Sequence, residues 1–99
     1  MEPKIVSIEK GKTKIKKPKQ YSVVMLNDDF TTMEFVIEVL VNIFNKNNIE
    51  ANKIMMDVHA KGRGVVGIYP YDIAYTKVSV AMNMAKSEGF PFKIIIEEV

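Results

Sequence analysis

Ninety-nine residues, 47% apolar and 26% charged, provide for one domain around a single modest core. The chain has no cysteine, which excludes disulfide frameworks, thiolate zinc sites, iron–sulfur ligation and cysteine nucleophiles, and no apolar run reaches the roughly 18 residues of a membrane-spanning helix. The net charge of +2 conceals an asymmetry: residues 1–20 hold seven lysines and two glutamates, and the remainder holds seven basic and ten acidic side chains.

The chain opens on MEPKIVSIEK, which lacks the apolar core and small-residue cleavage site of a secretory signal. Residues 1–18 are expected to form a flexible basic arm, with at most a short strand at Ile5–Ile8, and residues 19–99 to form the domain. Such an arm suits a solvated tail or an anionic partner. No aromatic side chain is interleaved with its lysines for base stacking. Tyr21–Leu26 is a strand candidate that ends at the polar cluster Asn27-Asp28-Asp29. Thr31 and Glu34 have capping-box spacing. They predict a helix to about Asn45, with Val36, Val39, Leu40 and Ile43 on its buried face. Asn47-Asn48 breaks that helix. A second helix is expected over Glu50–Ala60, with Ile54, Met55 and Val58 on one face, His59 at its edge and Gly62 near its C-terminal cap. Gly64–Tyr69 reads as a second strand. Pro70 starts a third helix over Tyr71–Glu88, Gly89 stops it, and Lys93–Glu98 is the last strand. The order β-α-α-β-α-β predicts an α+β, two-layer domain: a three-stranded sheet covered by three helices.

The residues offer little for catalysis. His59 is the only histidine, and none of the serines stands in a nucleophile-elbow motif. Gly62-Arg63-Gly64-Val65-Val66-Gly67 matches a dinucleotide-binding string, but it lies before and within a strand rather than between a strand and a helix. It reads as a turn plus strand glycines. Asn27, Asp28 and Asp29 are an Asx turn, a helix cap or a binding site. A metal site on Asp28, Asp29 and His59 is a weaker alternative, because neighbouring side chains in extended chain point apart. As acceptors the group is more informative. Asn27 offers a carbonyl oxygen, Asp28 and Asp29 carboxylates, and neutral His59 one bare ring nitrogen. Converging, they would suit a primary amine, which has three donors and no acceptor. Methionines are abundant, seven in the chain, and Met25, Met33, Met55 and Met56 with Val58 could supply an adaptable apolar wall.

Three stretches carry a family resemblance. The first is YSVVMLNDDFTTMEFV, Tyr21 to Val36. The second is Met55-Met56-Asp57-Val58-His59 with Gly62. The third is Ala74-Tyr75-Thr76-Lys77-Val78 followed by Gly89-Phe90-Pro91-Phe92. Together they resemble ClpS, the adaptor family that brings N-degron substrates to a Clp-type AAA+ protease. The resemblance implies a non-enzymatic, monomeric adaptor of the bacterial cytoplasm, with no cofactor or metal. It implies that Asn27, Asp28, Asp29 and His59 hold the α-amino group of a substrate, with the two aspartates dividing direct contact and orientation between them. The apolar pocket for a first residue Phe, Tyr, Trp or Leu would be Met25, Thr31, Met33, Met55, Val58 and Phe92, with Met33 as a gate against β-branched residues. Asp72, Tyr75 and Lys77 would face the N-terminal domain of the ATPase. Thr32 stands where proline is frequent, Asp72 where a longer acid is familiar, and Tyr75 is atypical. The rival expectation, carried by the lysine arm, is a small basic RNA- or ribosome-binding module, whose affinity would fall steeply with salt.

Overall fold

The computed structural model describes residues 18–99. The expected arm and its strand at Ile5–Ile8 lie outside these residues. Six elements follow in the order β1 (Gln20–Leu26), α1 (Met33–Asn42), α2 (Asn48–Lys61), β2 (Arg63–Pro70), α3 (Tyr71–Glu88) and β3 (Lys93–Glu98). The expected β-α-α-β-α-β order and the α+β class hold.

The sheet is antiparallel in the order β2-β1-β3, so the first strand in sequence is the central one in space. The run Val23-Val24-Met25 suits that place, because all three side chains are fully buried. Successive strand residues face opposite sides. Val23 and Met25 join the core under the helices, whereas Val24 sits in register between Val65 and Ile95 on the other face. A register shift between Val23 and Val24 marks a bulge against β2.

Helix α1 buries Phe35, Val36, Val39 and Leu40. The 3.6-residue period found three of these; Ile43 is only partly buried, at the C-cap, and Phe35 was not foreseen. The Phe35 ring meets Phe90 at 5.1 Å and Phe92 at 5.6 Å, both edge to face. In α3 the buried residues are Ala74, Ala81 and Ala85. Small residues on that stripe let an 18-residue helix lie close to the sheet.

Two helix starts differ from expectation. The N-cap of α1 is Thr32, whose hydroxyl accepts from the Phe35 backbone N–H at 3.1 Å. The Thr31–Glu34 box therefore does not form, because Thr31 is already held by Asp28. A capping box does exist at α2, where Asn47 accepts from the Glu50 N–H and Glu50 reaches back to the Asn47 N–H. The residues read as a helix breaker start the next helix. Helix α1 stops at Asn42, and its last turn carries no basic residue. Lys77 of α3 supplies the missing cation: its Nζ donates to the Ile43 carbonyl at 2.8 Å and lies 5.8 Å from the centre of the Phe44 ring.

Gly62 ends α2 in the left-handed region, φ 86°, and turns the chain directly into β2. Two residues on, Gly64 sits under α2. A Cβ there would stand 2.8 Å from Val58 Cγ2 and 3.0 Å from the Ile54 carbonyl oxygen. Backbone cannot swing aside as a side chain can, so this glycine sets how closely α2 approaches the sheet. Gly64→Ala is therefore expected to destabilise the fold by about 1–3 kcal/mol, the usual range for overpacking. Urea unfolding of the two proteins measures this, and an unchanged midpoint would show that α2 is free to lift.

Candidate functional site

The site forms where the C-terminal end of β1 meets the C-terminal end of α2. One backbone bond joins them: the Asn27 N–H donates to the Gly62 carbonyl at 3.0 Å. This continues the β1–β2 ladder one step beyond Leu26 and Arg63. It also brings Asn27 beside the last turn of α2, which carries His59.

The loop after Asn27 is built on one carboxylate. Asp28 Oδ1 accepts from the Phe30 N–H at 2.8 Å and the Thr31 N–H at 2.7 Å, and Oδ2 accepts from the Thr31 hydroxyl at 2.7 Å. These bonds curl the loop into an Asx turn and hand the chain to Thr32, the cap of α1. Partial burial pushes the Asp28 carboxyl up, but the bonds from Thr31 backbone, Thr31 hydroxyl and Phe30 backbone outweigh it, so the group lies below its usual 3.8.

The side chains of Asn27, Asp29 and His59 take part in none of the side-chain hydrogen bonds found among the described residues. All three are exposed. With Asp28 they border a cavity of about 270 Å³ whose other lining residues are Thr31, Met33, Val36, Met55 and Val58. Val36, Met55 and Val58 are buried and form the inner wall, while Met33 is 46% exposed at the rim. Helical spacing explains the assembly. Met33 and Val36 are three apart on α1; Met55, Val58 and His59 are three and four apart on α2. The result is a cavity lined jointly by acceptors and by apolar side chains.

Of the expected pocket residues, Thr31, Met33, Met55 and Val58 line the cavity. Met25 is fully buried and Phe92 is 2% exposed, and neither is part of the lining. Met25 sits on the central strand and Phe92 packs on Phe35, so both support the core beneath. Val36 lines the cavity and was missed as a site residue, although its place one turn after Met33 could have shown it. No three His, Cys, Asp or Glu side chains among the described residues come together to hold a metal ion. On α3, Asp72 and Tyr75 are exposed, Tyr75 at 57%. Tyr75 stacks on Tyr71 at 6.1 Å, and Tyr71 meets Tyr21 edge-on at 5.1 Å. Lys77 is half-buried and donates to the Ile43 carbonyl.

Comparison with known proteins bears directly on this arrangement. The family model described as ATP-dependent Clp protease adaptor protein ClpS matches residues 16–95. The chain belongs to the ClpS family. It is 53% identical over 90 residues to the ClpS adapter of Clostridium acetobutylicum, covering 91% of this chain and 89% of that one. It is 54% identical over 84 residues to the ClpS adapter of Wolinella succinogenes, covering 85% and 82%. Among solved structures it is similar to Agrobacterium tumefaciens ClpS2 bound to L-phenylalaninamide, with TM-score 0.80 and 38% identity, over 84% of this chain and all of that one. As a ClpS protein the chain is an adaptor of the ATP-dependent Clp protease rather than an enzyme. No helix among the described residues is long and apolar enough to cross a membrane.

The Asp28 bonds make a stability prediction. Folding lowers this pKa, so the stabilisation it gives is full above the unfolded value and is lost as pH falls through the folded one. At neutral pH, Asp28→Ala should lose about 1–2 kcal/mol, with Asp28→Asn intermediate because its amide oxygen can still accept. The gap between parent and Asp28→Asn should close as pH falls below about 4. Thermal melts over that range check it; a gap that persists at the acid end would show that the carboxylate charge is not what holds the loop.

Proposed function

We propose that this chain binds proteins through a free α-amino group and a bulky apolar first side chain, and delivers them to a Clp ATPase–protease in the bacterial cytoplasm. The observation that carries this reading is that Asn27, Asp29 and His59, whose side chains make no hydrogen bond found among the described residues, line one cavity with Met33, Val36, Met55 and Val58. An ammonium group offers three donors and accepts nothing. One carbonyl oxygen, one carboxylate and one neutral imidazole nitrogen match it in number and polarity. Asp29 is assigned to take the amine directly, because three donors from Phe30 and Thr31 already use most of the acceptor capacity of Asp28. Asp28 then acts by orienting the loop. L-Phenylalaninamide, the ligand of the similar Agrobacterium protein, joins a free amine to an aromatic side chain, the same two features.

The magnitudes suit transient capture. Hydrogen bonds to a charged group contribute about 1.5–3 kcal/mol each, and burial of a Leu or Phe side chain about 1.5–3 kcal/mol. After the entropy of association, micromolar affinity follows. Substrates are expected to begin with Phe, Leu, Tyr or Trp. No cofactor, metal or second subunit is called on. The ATPase's N-terminal domain is assigned to the face of α3 that carries exposed Asp72 and Tyr75. Lys77, half-buried on the same helix, is assigned to that face as well, and it also donates to the Ile43 carbonyl at the end of α1.

The deciding experiment is titration of fluorescent peptides that differ only in the first residue. Peptides starting with Leu or Phe should bind, N-acetylation should abolish binding, and Asp29→Ala should weaken it by about tenfold or more while the melting temperature holds. Equal binding of acetylated and free peptides would sink the reading.

Met33 makes a second prediction. It stands half exposed at the rim, on the first turn of α1, where its thioether narrows the entrance. Met33→Ala should admit peptides beginning with Ile or Val, whose branch at Cβ the parent excludes. Loss of Leu binding with no gain of branched residues would show Met33 to be a wall rather than a gate.

A further inference from the structure

The two edges of the sheet differ. Strand β2 shifts register against β1 between Val23 and Val24 and ends at Pro70, two features that blunt an edge. Strand β3 has neither. Lys93–Glu98 keeps one register with β1 throughout, contains no proline or glycine, and sets Ile94, Ile95 and Ile96 in succession at its centre. No strand among the described residues pairs with its outer edge. Such an edge presents a row of backbone N–H and C=O groups to an incoming chain. Beside the start of β3 lies a hollow of about 440 Å³, between the C-terminal turns of α3 and the chain that returns from them. Met82, Ala85, Phe90, Pro91 and Phe92 make it apolar. Phe90 and Phe92 are each held edge to face on Phe35, which fixes that wall. Among the described residues the only charged groups of the lining are Lys86 and Lys93; both are exposed, and neither is in an ion pair found there. The hollow shares no lining residue with the amine cavity.

We infer that this edge and hollow form a second peptide site, which takes the free C-terminus of a protein chain that ends in an apolar residue. The incoming chain adds to β3 as a fourth, antiparallel strand. Its last side chain enters the hollow, and its carboxylate pairs with Lys86 and Lys93. The site needs no free amine, so the inference does not rest on the function proposed above. Three observations carry it. The first is continuity: Lys93 is both the first residue of β3 and part of the lining, so a strand laid on β3 runs into the hollow. The second is charge, which sets the direction. An antiparallel strand brings its C-terminal end to Lys93, where a carboxylate meets two ammonium groups. A parallel strand would bring an amino terminus to the same place, against two like charges. The third is size. A strand of this length offers a ladder of about 20 Å, and the hollow falls within the range of small-ligand sites, so the main chain supplies affinity and the hollow selects the end residue.

The test uses the whole chain and the peptide Lys-Thr-Val-Thr-Val-Leu, with a fluorophore amide-linked to its N-terminus so that the amine site cannot take it. Fluorescence anisotropy should show binding of the free acid. The C-terminal amide should bind about three- to tenfold more weakly in low salt, as expected for one or two exposed ion pairs. Raising salt to about 0.5 M should shrink the difference to less than about twofold. Lys86→Ala combined with Lys93→Ala should remove it while the melting temperature holds, since both side chains are exposed. N-methylation of the peptide distinguishes a strand from any other pose, because alternate residues of a strand direct their N–H groups to the same neighbour. Methylating one alternate set should abolish binding, and methylating the other should change it by less than about twofold. Equal affinity of acid and amide, or equal response to the two methylation sets, would overturn the inference. Displacement of the probe by an unlabelled peptide that begins with a free Leu and ends in an amide would place the probe in the amine cavity and overturn it too, leaving the proposed function standing.

Discussion

The Asp28 carboxylate shapes the loop on which the cavity is built. Its two oxygens take three donors from Phe30 and Thr31, so the loop between β1 and α1 has one shape. That shape determines where α1 begins, and hence where Met33 and Val36 stand over the cavity. It also separates two adjacent aspartates that the sequence presents as equals. One holds the loop, and the side chain of the other makes no hydrogen bond found among the described residues. Adjacent residues in a turn point in different directions, so this division of labour costs the chain nothing beyond having both.

A binding site of this kind fits a domain of this size. An amine with an apolar side chain needs only convergent acceptors and a hollow, and both can be made at the corner where a strand and a helix end. The Asn27–Gly62 backbone bond holds that corner closed, and Gly64 lets α2 come near enough for Val58 to wall the cavity. Methionine at both the rim and the inner wall gives a surface that can adjust to aromatic or aliphatic guests. Nothing in the arrangement requires a nucleophile or a titrating acid, in keeping with a family of adaptors.

The functional surfaces are linked through α1. Its first turn carries Met33, which lines the cavity, and its C-cap is held by Lys77 from α3. The same α3 exposes Asp72 and the Tyr71–Tyr75 stack a few residues away. A partner seated there would lie next to the lysine that anchors the other end of the gate helix. This gives a physical contact between the end of α1 and the face of α3 proposed for the partner, through one hydrogen bond and one aromatic ring.

Local periodicity and punctuation determined most of the fold from sequence. Gly89 and Lys93–Glu98 ended and began elements where expected, and Gly62 closed α2, because left-handed caps and apolar runs act over a few residues. The acceptor set Asn27, Asp28, Asp29 and His59 was legible as chemistry, and the tertiary structure brought all four to one cavity. Other features depended on partners distant in sequence or on competition between neighbours. Spacing alone favoured Thr31 as the cap, but Asp28 captured its hydroxyl and passed the role to Thr32. Met25 and Phe92 read as pocket residues, yet a central strand and the Phe35 contact drew them into the core. Nothing near Lys77 in sequence announced that the fold would set the Ile43 carbonyl, 34 positions away, within 2.8 Å of its ammonium group. Sequence shows which groups can donate, accept or pack; which of several possible partners each one meets is decided only when the chain has closed on itself.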